Sequence, residues 1–193
     1  MDKIGITHPP AGNLSRTATN PLYRETAIRN IQLAQKYILE NVKRGVCPDE
    51  ELLKKLHLIL TTDLPYCADD GKQYGSEYYS GIIENSKDDK LLLNEKYGNH
   101  DKELNRIMGW LNRHYEEYDA FRLGAWSYKR LLGVSPFYDG NGRTIRTFID
   151  ALLYSKGYRF REYPPNYAEI RSLKTEEIQS IFEEYCEKIP DEN

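Results

Sequence analysis

Ser135-Pro-Phe-Tyr-Asp-Gly-Asn-Gly-Arg-Thr-Ile-Arg146 is the run from which the rest of the chain is best read. Helical apolar spacing precedes it at Phe121, Ala125, Tyr128, Leu131 and Leu132, and follows it at Ile145, Phe148, Ile149, Leu152 and Leu153, closed by Gly157. Asp139-Gly-Asn-Gly-Arg143 therefore turns the chain from one helix into the next. Two glycines let backbone turn tightly and approach a ligand closely. The helix starting near Gly142 presents unpaired N–H groups and the positive end of its dipole, a natural anion site. Arg143 and Arg146, three apart, occupy neighbouring positions on one helix face, and their guanidinium forks suit phosphate oxygens. Asp139 at the edge of the turn suits Mg²⁺ bridging phosphates. A plain helical corner is the alternative, with Asp139 and Asn141 capping the second helix and the arginines paired to acids. An acid, two glycines, an amide and two arginines at fixed offsets around Phe137 favour the anion site.

The surrounding charge agrees. Between positions 129 and 161 stand Lys129, Arg130, Arg143, Arg146, Lys156, Arg159 and Arg161, against Asp139 and Asp150 alone. A basic stretch inside a chain of net charge -3 favours a local anionic ligand and argues against a general nucleic-acid coat. The 193 residues suit one domain with a sizeable core, and no apolar run approaches the roughly 20 residues of a membrane span. The N-terminal MDKIGITHPPAGN has no apolar secretory core. Cys47, Cys67 and Cys186 are odd in number and widely spaced, without metal spacing. A reducing cytoplasm fits, either the producer's or that of a cell receiving the protein.

Residues 1–19 read as an irregular arm and 20–193 as one domain. Asn20-Pro21 is an N-cap followed by first-turn proline, with Ala27, Ile28, Ile31, Ala34, Ile38 and Val42 at helical spacing up to Gly45. A second helix starts at Pro48-Asp49-Glu50 and runs through Leu52, Leu53, Leu56 and Leu60. Residues 62–99 are glycine-bearing loop, with one β-prone patch at Tyr78–Ile83 suited to a small hairpin. Leu104, Ile107, Met108, Leu111, Tyr115 and Tyr118 mark a further helix. After Pro164-Pro165 come two short helices, one capped by Asn166 and one by Thr175 with Glu176 and Glu177 in its first turn. The fold class is all-α with a small β element.

The central run resembles the signature of the Fic (Fido) family, His-x-Phe-x-(Asp/Glu)-Gly-Asn-Gly-Arg-x-x-Arg, and matches every fixed position except the first. Leu56-His57 with Leu60, Trp110-Leu111-Asn112 and Ala125-Trp126 with Leu131-Leu132 resemble the family's flanking helices, so the likeness extends over about residues 50–157. It implies a helical bundle with a β-hairpin flap within 71–90, where a target protein's chain docks as an added strand. It implies AMP transfer from ATP, with Mg²⁺, to a target hydroxyl. Asp139 would contact Mg²⁺. Gly140, Asn141 and Gly142 would form the phosphate turn. Arg143 would hold the outer phosphates, and Arg146 would assist there or pair with an acid. Phe137 would anchor the loop.

Ser135 stands where the family has its catalytic His. Imidazole titrates near neutrality and accepts the attacking hydroxyl's proton; a serine hydroxyl is no base at neutral pH. The resemblance therefore implies impaired transfer, with phosphate binding retained. The alternative is a non-catalytic module that binds nucleotide or protein. His57 reads as structural on its helix, His114 as solvated, and His8 and His100 as loop residues, none a replacement base. Ser80-Gly-Ile-Ile-Glu84-Asn85 matches the family's inhibitory (Ser/Thr)-x-x-x-Glu-(Gly/Asn) pattern by chance, since it falls where the flap should be. Ser180-Ile-Phe-Glu-Glu184-Tyr185 reads as a packing helix with its glutamates in solvent.

Overall fold

The computed structural model describes residues 21–64, 66–67, 73–74, 100–137, 140–164 and 170–190. Its elements are α1 (Pro21–Asn41), α2 (Glu50–Thr61), β1 (Tyr66–Cys67), β2 (Gln73–Tyr74), α3 (His100–His114), α4 (Ala120–Val134), α5 (Asn141–Ser155), β3 (Tyr158–Phe160), a 3-10 turn at Ile170–Ser172, α6 (Thr175–Tyr185) and β4 (Cys186–Lys188). Helix dominates, as the spacing predicts. None of the described helices is long and apolar enough to cross a membrane.

Local chemistry sets the helix ends. Asp49 caps α2 by accepting from the Leu52 N–H at 2.9 Å, and Glu50 and Glu51 complement the positive dipole end. Asp119 caps α4, accepting from Phe121 and Arg122 N–H. α1 ends at Asn41, short of the expected stop at Gly45, whose φ of 77° belongs to the following turn. α6 begins one residue earlier than a Thr175 cap implies: Lys174, not Thr175, is the N-cap residue, and the Glu177 carboxylate accepts its backbone N–H at 2.7 Å.

α5 is the central helix. Ile145, Phe148, Ile149, Leu152 and Leu153 are all fully buried, because α2 and α4 cover it on two sides and β3 packs near its end. α4 also packs against α3 and α6. Gly124 allows the close α4–α6 approach; a Cβ there would meet the Phe182 ring at 3.2 Å. Trp110 of α3 and Trp126 of α4 stack with ring centroids 3.6 Å apart.

β1 and β2 pair antiparallel, Tyr66 opposite Tyr74 and Cys67 opposite Gln73. The ladder opens ahead of the 71–90 range expected for the flap, while the Tyr78–Ile83 patch lies outside the described residues. A second ladder, β3 with β4, was not legible beforehand. Tyr158 faces Lys188 and Phe160 faces Cys186. Each strand has only three residues and adjoins a helix, so neither offers enough alternation to register as period two. Asn166 and residues 80–85 also lie outside the described residues. Glu183 and Glu184 of α6 are exposed while Ile178 and Phe182 enter the core, the packing role expected for that helix.

Candidate functional site at the start of helix α5

α4 ends and α5 begins at one corner of the bundle, and the central run is that corner. Ser135 is the C-cap of α4. Its N–H donates to Leu131 O at 2.8 Å and its Oγ donates to Leu132 O at 2.8 Å. Its φ of 47° and ψ of 66° are left-handed, uncommon for a residue with a side chain. The hydroxyl thus satisfies one of the carbonyls left over at the helix end. Phe137 follows as the buried anchor, 5% exposed.

Asn141 locks the loop. Its Oδ1 accepts from the Phe137 N–H at 2.8 Å while its Nδ2 donates to Phe137 O. The amide side chain thereby pairs with one residue's backbone as a strand would. Of the residues expected to form the phosphate turn, Asn141 spends its side chain on the turn's shape and leaves only its backbone to face a ligand. Gly140, the N-cap of α5, has φ 74° and provides no side-chain oxygen. A serine or aspartate here would bring its own side-chain oxygen to the first-turn N–H groups; glycine brings none. Arg143 and Arg146 are half-buried on the first two turns. The Arg146 guanidinium folds back over the helix start, with Nη1 3.3 Å from where a Cβ on Gly142 would lie. A helix N-terminus whose N-cap residue has no side chain, a positive dipole end and the Arg146 guanidinium therefore lie together. Asp139 lies outside the described residues. Among the described residues no group of three or more His, Cys, Asp or Glu could hold a metal ion.

The floor of the turn comes from α2. His57 is 1% exposed, stacks on Phe137 with centroids 3.9 Å apart and rings 14° from parallel, and shares a 2.9 Å hydrogen bond through Nδ1 with Thr144 Oγ1. Burial, with the Arg143 charge as a second cause, lowers its pKa to about 3, so the ring is neutral. Its structural assignment follows from these contacts. The signal was its position on the inward face, one after Leu56 and four after Leu53.

Two glycines of the turn carry opposite expectations. A Cβ on Gly140 would meet Thr61 Cγ2 at 3.2 Å and His57 Cε1 at 3.3 Å, at a positive φ. Gly140→Ala is expected to destabilise the fold by about 1–3 kcal/mol in urea unfolding. Gly142 is ordinary helix, and the nearest obstacle is the mobile end of Arg146. Gly142→Ala is expected to change stability by less than about 1 kcal/mol while weakening anion binding, since it displaces Arg146. Equal unfolding midpoints for the two variants would contradict this assignment.

Sequence reasoning missed a buried polar cluster behind the cradle. Asp150 of α5 accepts from the Tyr163 hydroxyl at 2.6 Å through Oδ2. Its Oδ1 is sealed from solvent without a hydrogen-bond partner, as is Oε1 of Gln35 on α1. Burial raises the Asp150 pKa to about 7, against the lowering effects of the Tyr163 hydrogen bond and the Arg146 charge. A lone Asp in a helical run carries no sign that its neighbours will be apolar, so only folding exposes this.

A model of the Fic/DOC family matches residues 47–153. No curated protein matches the chain. Among solved structures, the N-terminal Fic domain of a VirB-translocated Bep effector protein from Bartonella quintana is 18% identical, with 98% of this chain and 88% of that chain covered and a TM-score of 0.53. The same description with bound ADP applies to a second structure, 17% identical, covering 96% and 89%, with a TM-score of 0.52. BepC from Bartonella tribocorum, with bound AMPPNP, is 16% identical, covering 98% and 93%, with a TM-score of 0.52. At these identities the structural likeness is one of fold.

Proposed function

The chain belongs to the Fic/DOC family, and from that premise we propose that it binds a nucleotide by its phosphates at the start of α5, with Fic-type transfer impaired by Ser135. The observation that carries the reading is the start of α5, where the N-cap is a glycine without a capping side chain and the Arg146 guanidinium folds over the first turn. Bound ADP and AMPPNP in two structures of the same fold support it. Gly140, Asn141 and Gly142 offer backbone to the phosphates, and Arg143 and Arg146 supply the guanidinium forks. Mg²⁺ on the phosphates, met by Asp139, would neutralise charge there, and one carboxylate is a usual protein share for Mg²⁺ held mainly by phosphate and water.

In the reaction itself, a target hydroxyl attacks the α-phosphorus of ATP, a new P–O bond forms, and the bond to pyrophosphate breaks. The hydroxyl proton must leave, and position 135 is where the family accepts it. Ser135 has no basic lone pair suited to that task, and its Oγ is engaged with Leu132 O. That engagement favours a second reading, a nucleotide-binding module without catalysis. A target protein would dock at the flap, and a cytoplasmic site of action, in producer or recipient cell, accords with the free thiols of Cys47 and Cys186.

Titration with ADP and with AMPPNP, each with and without Mg²⁺, tests the reading. Saturable binding is expected, weakened about tenfold or more by Arg143→Ala, the scale of a lost charge-assisted hydrogen bond. No heat or fluorescence change with either nucleotide, at millimolar concentration, would end it.

A further inference from the structure

The Asp150 cluster has no part in the reading above, yet it sits directly behind one of its arginines. Asp150 follows Arg146 by four residues on α5, so both project from one face of that helix. The Arg146 head reaches forward to Gly142, at the phosphate end. The Asp150 carboxyl reaches the other way, to the Tyr163 hydroxyl, which also hydrogen-bonds Gln35. Around that hydroxyl stand two sealed oxygens, Asp150 Oδ1 and Gln35 Oε1, with no donor for either. An ionised carboxylate in such a place keeps one oxygen desolvated and unpaired. A neutral acid brings the O–H donor that the cluster lacks.

The groups that face Asp150 come from every element around it. Arg146 comes from α5, Tyr163 from the segment after β3, uncharged Gln35 from α1, and Cys186 from β4 with Arg161 beside it. Arg146 and Asp150 are within electrostatic reach of each other. A negative charge at Asp150 therefore competes with a phosphate for the field of Arg146. Conversely, a phosphate on Arg146 screens that field and makes the Asp150 charge still less favourable. The coupling runs equally in both directions.

We propose that Asp150, held by Tyr163 and backed by Gln35, is a positioning residue that sets how strongly Arg146 holds an anion, leaving Arg146 to phosphate when neutral and drawing on it when ionised. The proposal rests on the phosphate reading of the α5 N-terminus. It predicts that nucleotide binding takes up protons and that affinity falls as pH rises through the Asp150 titration. Burial, which pushes that titration up to about 7, places the effect near neutrality.

The test is ADP binding by calorimetry at about pH 6 and pH 8, in buffers of differing ionisation enthalpy, for the whole chain and for Asp150→Asn. ADP's own phosphate titrates identically against both proteins, so the comparison isolates Asp150. The wild-type Kd is expected to rise several-fold more than the variant's, with net proton uptake that the variant lacks. Tyr163→Phe gives a second handle: losing the hydrogen bond that favours the charged form should move the wild-type midpoint to higher pH, which a merely structural tyrosine would not do. Equal pH dependence and equal proton uptake in wild type and Asp150→Asn would overturn this inference alone. Failure of both proteins to bind ADP at either pH would overturn the phosphate reading and this one with it.

Discussion

Ser135→His is expected to raise transfer of label from ATP to protein by about 10²–10⁴-fold, the usual value of a positioned general base. The site favours the exchange. Position 135 is left-handed, and histidine is among the side chains that tolerate such backbone better than most. It also closes the C-terminal end of α4, whose exposed carbonyls carry partial negative charge. An imidazole there is made more basic and its protonated form is stabilised, both useful while it takes the hydroxyl proton. The exchange forfeits the Ser135 Oγ to Leu132 O bond, worth about 1 kcal/mol of stability. Activity should therefore rise while the melting temperature falls slightly. The measurement is incorporation of radiolabelled AMP into lysate protein by the two chains side by side. Incorporation by the Ser135 chain as strong as by the His variant would refute the view that this residue limits transfer.

Asp150→Asn should progressively stabilise the protein relative to wild type as pH rises. In the fold, Asp150 keeps its proton up to about pH 7, whereas the unfolded chain releases it near 3.8. Between those values the native state binds one more proton, so wild-type stability falls with rising pH, by at most about 1.4 kcal/mol per unit. The asparagine variant lacks this loss. The difference between the two should grow by about 2–4 kcal/mol from pH 4 to pH 7 and then level off. His57 acts in the opposite sense. Its folded pKa of about 3 lies below the unfolded 6.5, so its contribution is complete above pH 6.5 and lost as pH falls toward 3. The two slopes oppose each other in wild type, and removing Asp150 uncovers the His57 slope. Urea unfolding at pH 4, 5, 6, 7 and 8 gives the comparison. A difference that stays constant across that range would mean that Asp150 is ionised throughout.

Much of the frame was legible from residue order. Leu53, Leu56 and Leu60, and then Ile145, Phe148, Ile149 and Leu152, mark helix faces because a period near 3.6 is imposed by local geometry and a buried side needs apolar side chains. Asp49 marked a helix start for an equally local reason, its carboxylate reaching a backbone N–H three residues on. The β3–β4 ladder was not legible, since its partners are separated by α6 and its strands are too short to show alternation. The motif position of Asn141 implies a place in the phosphate turn, but whether its amide faces a ligand or its own loop depends on where Phe137 returns.

The sequence by itself determined the family, the helical architecture, the corner between α4 and α5 and the absence of a base at position 135, because all of these rest on residue identity and short-range spacing. Only the tertiary structure decided that His57 is a neutral floor tile under Phe137, that the Ser135 hydroxyl is occupied by Leu132, and that burial raises the Asp150 pKa to about 7. Those properties arise from desolvation and from partners brought together across the chain, Asp150 with Tyr163 and His57 with Thr144, which no local pattern encodes.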